Sequence, residues 1–560
     1  MTPRNYGPPT KAMLLLISLL TIGIAGCEGD DGANGIDGTD GADGAAGAPG
    51  TDGQACWDLN NNGVGDPEED INGDGVVDVY DCNAYASGAY EIDQLHAGYF
   101  TENAYEGTKS CLVCHGKLAD EFLTTAHFKW EGDAANIVNV APGTIHGKND
   151  IINNFCVAVP SNEGRCTQCH AGYGYKDDTF DFGDPENIDC LVCHDQTDTY
   201  AKDLKTAGLP VPGIDLNAVA RSVATHAPTI ENCIDCHANA GGDDNVKHGD
   251  LAMAIANTTR EYDVHMGTDG GDMDCVACHQ VKRDNDDKML SHGIGGMPYH
   301  SVDEGEMLQC TDCHEDLNSQ HAGTSVDIVF QNNNHQRLAC QVCHIPTFAR
   351  EQSTKTEWYW EDAGQTIAEE DIPRDPVTNR AMYNKKKGSF VWETNVRPTL
   401  LFHDGTWNKM VIHDADTYTH DPDPSNPVVL GAPAADYTDD DAMIYPFKKM
   451  IGNQIADVVN KRIMVPHLFG LAGGPNPYWG KFDWDLALID ASNYTGQPYT
   501  SGNSGFVDTV MYLTVNHEVA PKEDAWGMNG DCGDCHLGGQ IDWVGLGYDK
   551  DPADGGTRPE

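Results

Sequence analysis

Basic side chains are scarce in this sequence. Lys and Arg together number 34 against 88 Asp and Glu, for a formal charge of −54 at pH 7. Phosphate backbones repel so acidic a chain, which also has no surplus of cations for an anionic leaflet, so nucleic acid is excluded as a partner. Apolar residues are sparse as well, at 39% of the chain, and the 61 glycines add no side chains to a core. Beyond the first thirty or so residues, no apolar run is long enough to span a bilayer as a helix. A chain of 560 residues with these shortages must be held by something besides aliphatic packing. What it has in excess is 20 Cys and 23 His.

The cysteines follow a pattern. Cys-x-x-Cys-His occurs eight times. The first four copies are Cys111, Cys114 and His115; Cys166, Cys169 and His170; Cys190, Cys193 and His194; Cys233, Cys236 and His237. The other four are Cys275, Cys278 and His279; Cys310, Cys313 and His314; Cys340, Cys343 and His344; Cys532, Cys535 and His536. Two thiols at this spacing reach the two vinyl groups of one porphyrin, and the adjacent imidazole takes the iron from below. Structural zinc sites pair Cys-x-x-Cys units without an invariable following His, and a redox dithiol needs one motif, not eight. The pattern predicts eight covalently attached haem c groups, which supply the missing core.

Four cysteines remain. Cys27 follows Arg4, Lys11 and the apolar run Met13–Ala25, and the junction Ile24-Ala25-Gly26-Cys27 resembles a bacterial lipobox. Residues 1–26 are therefore expected to be a lipoprotein signal peptide, with Cys27 acylated as an N-terminal membrane anchor on the exported side, in the periplasm or at the cell surface. Gly then recurs every third position from Gly29 to Gly53, so 27–54 reads as a collagen-like tether, too poor in Pro for an autonomous triple helix. Within 55–83, Cys56 and Cys82 bracket two abutting twelve-residue loops and read as one disulfide in an oxidising compartment. Oxygen ligands fall at Asp58, Asn60, Asn62, Asp66 and Glu69 in the first loop, and at Asp70, Asn72, Asp74, Asp78 and Asp81 in the second. With Gly63 and Gly75 at the sixth positions, both match the calcium-loop pattern, so calcium is expected as a second cofactor. The fourth cysteine, Cys156, has no partner in this arithmetic.

Seven motifs crowd into residues 111–344, and a long insert, Ile345 to Asp531, separates the seventh from the eighth. At that haem density the expected fold is mainly α with much irregular structure and little sheet, a wrapper spanning 95–540, followed by a C-terminal tail at 541–560. The insert, with aromatic stretches at 357–360 and 385–392, is expected to fold back against the haem array.

Each iron needs a sixth ligand. Irons with two imidazoles suit electron transfer, whereas a weakly ligated iron suits catalysis. Candidate distal ligands are His127, His226, His248, His265, His292, His321, His335 and His517, which lie near a motif or in short Gly- or Asn-flanked segments.

Several segments resemble the octahaem tetrathionate reductase family. They are Gly147 to Cys156, Ser161 to Lys176 around the second motif, Asp189 to Asp195, Gly241 to Asp250, Ala339 to Pro346, and Val465 to Phe469. The likeness runs from about residue 95 to 540. It implies one catalytic haem, the second, with a lysine as distal ligand at Lys247 and with Asp244 and Cys156 beside it. It further implies a small oxyanion substrate, tetrathionate or nitrite, or else hydroxylamine, with electrons from a quinol-oxidising or other cytochrome partner. A ligating amine must be neutral, so the iron displaces its proton, and a departing lysine can offer charge to an anion. The alternative is a lipid-anchored conduit that performs no chemistry of its own.

Overall fold

The computed structural model describes residues 92–223, 228–283, 289–294, 306–314, 321, 337–470, 472–527 and 532–557. The lipobox, tether, calcium loops and Cys56–Cys82 pair lie outside the described residues, as do His226 and His335.

The motifs ride on short helices. The longest, Lys109–Phe122, kinks at His115 (φ −114°, ψ 23°), where the motif ends. Others are one or two turns: Leu191–His194, Ile230–His237, Cys275–Cys278, Cys310–Cys313 and Cys340–His344. Ile230–His237 opens on a capping box in which Thr229 and Asn232 satisfy each other's backbone N–H. Helices this short are marginal alone and depend on what they pack against.

The expectation of a mainly α fold with little sheet is overturned: helices and strands both contribute substantially. Among the described residues, two small sheets pair β1 (Glu131–Asp133) with β2 (Ile145–Gly147), and β3 (His279–Arg283) with β4 (Met289–Ile294) and β5 (Glu306–Met307). The insert then builds a nine-stranded mixed sheet from β6 (Thr354–Tyr359), β7 (Tyr383–Asn384), β8 (Gly388–Glu393), β9 (Thr399–His403), β10 (Trp407–Lys409), β11 (Val428–Pro433), β12 (Met443–Asp457), β13 (Arg462–Ile463) and β14 (Ser504–Thr514). Its main path runs β10-β11-β14-β12-β6-β8-β7, with β9 and β13 also on β12. The spine is the antiparallel β12–β14 ladder, from Phe447 opposite Thr514 to Asp457 opposite Ser504. β11–β14 and β12–β6 are parallel.

The physical reason is local. Haem can replace an aliphatic core only where there is haem, and the insert carries no motif. It must bury its own side chains, and it does so with Trp358, Trp360, Phe390, Trp392, Leu430, Met450, Met511 and Leu513 in one cluster. Ile152, Phe155, Val157 and Val246 from the haem-bearing half join that cluster, so the insert does fold back. Isolated bridges from Ile137 to Trp407, Ile151 to Val411 and Leu338 to Ile444 stitch the halves together. Beyond residue 540, Ile541, Trp543 and Leu546 enter a second cluster with Val342 of the seventh motif and Phe447 of β12.

Candidate haem centres and active site

Five motif histidines face a second imidazole. Ring centroids lie 6.0 Å apart for His115 and His96, and 6.2 Å apart for His237 with His127, His279 with His517, His314 with His265, and His344 with His321. Two imidazole nitrogens each about 2 Å from a shared metal, with ring centres about 1 Å behind them, put the centroids about 6 Å apart. The spacing fits an iron between each pair. Outer contacts agree: His96 Nδ1 meets Val223 O at 3.0 Å, leaving Nε2 for the iron, and His517 Nδ1 lies 3.3 Å from Asp250. His536 carries Asp551 on Nδ1 at 2.6 Å and stacks on Trp543.

His96 is a residue the sequence reading missed. It lies in the helix Ile92–Glu102, ahead of every motif, where only its distance of one or two helical lengths from Cys111 marked it. His292 is placed differently from the pairs: its ring packs on Phe122 at 6.2 Å, and its buried Nδ1 has no hydrogen-bond partner. His248 follows Lys247 directly and is half-buried.

Thiol contacts between motifs order the haems. Cys111 of the first motif hydrogen-bonds Cys190 of the third, and Cys193 of the third acts electrostatically on Cys233 and Cys236 of the fourth. Cys233 hydrogen-bonds Cys275 of the fifth, Cys278 feels Cys313 of the sixth, and Cys310 hydrogen-bonds Cys340 of the seventh. Cys343 acts on Cys535 of the eighth. These sulfurs become thioethers on haem attachment, so the thiol bonds themselves do not persist, but the adjacency does. It runs 1-3-4-5-6-7-8. The second motif stands off this line, joined to the fourth through Cys169 and Cys236.

The surroundings of the second motif are distinctive. Its His170 is fully buried among Phe128, Trp130, Tyr175, Phe180 and Phe182, with ring centroids 5.2–5.9 Å away. His170 Nε2 meets Phe128 O at 2.5 Å while Nδ1 is buried without a partner, so iron ligation requires the ring to exchange that carbonyl for the metal. Asn162 clamps the motif to the insert: its amide donates to Pro466 O at 2.9 Å and its carbonyl accepts from Leu468 N at 2.6 Å.

Lys247 is half-buried as a residue, but burial of its end pushes the ammonium down to about 7, with Lys148 adding repulsion and Cys169 opposing it. Lys247 and Cys169 therefore share the second site. The loop that presents Lys247 is tied down on all sides. Lys448 of β12, fully buried, donates to Val246 O at 2.6 Å and Thr354 Oγ1 at 2.6 Å, and Asn245 donates to Gln352 O at 2.8 Å. Asp244 accepts from Gln352 Nε2 at 2.6 Å and from Met253 N at 2.9 Å, so both of its oxygens hold the loop. Cys156 Sγ lies 3.8 Å from Gly241 O and acts on Cys166 of the second motif. The structure thus gathers Lys247, Asp244 and Cys156 around the second motif.

The "Cytochrome c bacterial" family matches residues 355–539, across the sheet insert and the eighth motif. An uncharacterised protein of Archaeoglobus fulgidus is 26% identical over 31% of this chain and 73% of its own length. The crystal structure of an octahaem cytochrome c from Shewanella oneidensis superposes with a TM-score of 0.69 at 34% identity, covering 82% of this chain and 98% of that one. That agreement takes in a fold whose attachment motifs and facing imidazoles already require haem, and on it the chain belongs to the octahaem c-type cytochromes, redox proteins carrying covalent haem c.

Proposed function

We propose that this cytochrome is an oxidoreductase that reduces a small oxyanion at the second haem, with the other seven haems relaying electrons to it. The observation that carries this reading is the spur. A conduit needs only a line, and motifs 1-3-4-5-6-7-8 form one without the second motif, which branches from the fourth. The two ends of the line serve entry and exit of electrons in a conduit, whereas a branch off its middle adds nothing to conduction and suits delivery of electrons to a substrate. The haem iron there supplies electrons and an inner-sphere binding position when the distal ligand leaves.

This chain's own residues select the charge. In a protein of net charge −54, Lys148 acts on Lys247 and Lys247 on Lys409 near this motif, while Lys387 and Arg380 act on Lys355 on the neighbouring strand. Those cations support an anion, tetrathionate or nitrite, over a cation, and salt screens the long-range repulsion over about 8 Å. Lys247 would serve as the distal ligand and then as a positive group beside the substrate. Cys27 lipidation, the calcium loops and a cytochrome donor belong to the same proposal, as the means of holding the enzyme at a membrane that feeds it.

Lys247→His tests the reading. A second imidazole releases the iron less readily, so turnover of tetrathionate, nitrite and hydroxylamine should fall together by at least roughly tenfold, while reduction by an artificial donor proceeds as before. Near-infrared magnetic circular dichroism should lose its amine-ligated band. Wild-type turnover in this variant would move the chemistry to a different haem.

A further inference from the structure

We propose that Glu163, in the wall of a solvent-facing cavity beside the second motif, binds a proton when the second haem is reduced and gives it up when that haem is oxidised. This requires a haem on the second motif and holds whatever that haem reduces, so it goes beyond the proposed function.

The cavity holds about 290 Å³. Asp150, Glu163, Tyr175 and Asp178 line it from the haem-bearing half, and His413 and Tyr494 from the insert. Among these acids Glu163 is the buried one, 3% exposed. Its Oε1 accepts from Ser161 N at 3.2 Å and from Tyr494 OH at 3.0 Å, while Oε2 is buried with no protein partner. That oxygen is where a proton can settle.

The neighbouring charges are committed elsewhere. Asp150 meets His146 Nδ1 at 2.7 Å and accepts from Gly147 N at 3.0 Å, and Asp178 is exposed. His413 is exposed and donates from Nε2 to Thr495 O at 2.8 Å. Arg165, on the same helix as Glu163, turns away to Leu204 O at 3.2 Å, and His467 faces the carbonyls of Ser161 and Gly474 at 2.6 Å and 3.2 Å. Burial pushes the phenols of Tyr175 and Tyr494 up, so neither releases a proton near neutral pH. Burial likewise pushes the Glu163 carboxyl up to about 7 against the hydrogen bonds from Tyr494 and Ser161, with Asp178 adding repulsion.

The acid is built into the same few residues that hold the second motif. Glu163 opens the helix Glu163–Cys166, which ends on an attachment thiol. Thr167 Oγ1 lies 2.7 Å from Glu163 O and 2.6 Å from Tyr175 O, and the Tyr175 ring lies 5.3 Å from the His170 ring. Tyr175 therefore touches the cavity on one side and the proximal imidazole on the other. Reduction of the iron removes one positive charge behind that ring. A carboxylate deprived of a nearby positive charge binds its proton more tightly. The step balances as one electron arriving along the haem line and one proton entering from solvent through the cavity, and the bond formed is Oε2–H. On the proposed function, the local charge that an arriving anion meets is then the same before and after the electron is delivered.

The test is potentiometric titration of the holoprotein between about pH 6 and 9, followed by haem absorbance and electron paramagnetic resonance. One haem of the eight should fall in potential as pH rises from about 7. A change on the order of tenfold in the proton affinity of Glu163 between the two iron states corresponds to about 59 mV for one electron. In Glu163→Gln the fall should vanish at that haem and the other seven should keep their profiles. In Tyr494→Phe, which removes a hydrogen bond from the carboxylate, the fall should persist but begin at higher pH. Eight unchanged profiles in Glu163→Gln overturn the proposal, and so does a change spread over several haems, which marks Glu163 as structural only. If Glu163→Gln does not fold, an unmoved onset in Tyr494→Phe overturns it alone. Potentials are read without substrate, so failure here leaves the second-haem reading to be judged by Lys247→His.

Discussion

Glu163 offers a quantitative check on the environment of the second motif. It lies three residues before Cys166 and is 3% exposed. One oxygen accepts from Ser161 N at 3.2 Å and from Tyr494 OH at 3.0 Å, while Oε2 is buried with no partner. Burial, opposed by those hydrogen bonds and reinforced by Asp178, pushes the carboxyl from 4.5 up to about 7. The sign follows from linkage. Below the unfolded value both states hold the proton and nothing is lost. As pH rises toward the folded value, the unfolded chain releases the proton first, and folding is progressively penalised. Above about 7 the penalty is complete, at most about 3 kcal/mol at 1.4 kcal/mol per pH unit. Glu163→Gln removes the titration but leaves an amide N–H without an acceptor, which costs about 1 kcal/mol. The variant should therefore be more stable than wild type by about 1–2 kcal/mol near pH 8, and less stable by about 1 kcal/mol near pH 4. Urea midpoints for both proteins at several pH values, followed by aromatic fluorescence and haem absorbance, give the difference directly. A difference that stays flat between those limits refutes the reasoning.

Other expectations are simpler to check. A pyridine haemochrome assay should count eight haems per chain, one per motif, and six or fewer would break the architecture. His96→Ala should turn one low-spin ferric iron in eight to high spin by electron paramagnetic resonance while leaving the others unchanged, because His96 faces His115 alone. The segment 54–84, disulfide intact, should bind two calcium ions in calorimetry, and no heat at about millimolar calcium would make it an acidic linker.

What could be read from the sequence follows the range of the interactions involved. Haem attachment is local: two sulfurs and an imidazole within five residues declare themselves. Distal ligation is not. His517 faces His279 from the far end of the chain, and His127 faces His237 across the second and third motifs, so the residue type was legible while the pairing was not. His96 was not among the candidates, although it precedes the first motif much as His517 precedes the eighth. The sheet was lost for a different reason. Haem as core was extended to an insert without haem, although alternation was visible in Ser389-Phe390-Val391-Trp392, where Phe390 and Trp392 are buried and the intervening residues are less so. Lysines in that insert read as ordinary charges, because no local signal distinguishes a buried lysine from a solvated one.

Those lysines explain why the sheet matters to the chemistry. β6 contributes Lys355, β10 contributes Lys409 and β12 contributes Lys448, and each is at most 4% exposed. The β7–β8 turn adds Lys387. Burial pushes both Lys409 and Lys448 down to about 7, so each is held at a cost that surface placement would have avoided. They are not scattered: Lys448 carries the carbonyls of Val246 and Lys247, and the Lys247 charge acts on Lys409. On the proposed reading, the insert between the seventh and eighth motifs supports the Lys247 loop from β12, where Lys448 holds the carbonyls of Val246 and Lys247. Removing one of these cations should weaken anion turnover more than it weakens passage of electrons along the line of seven.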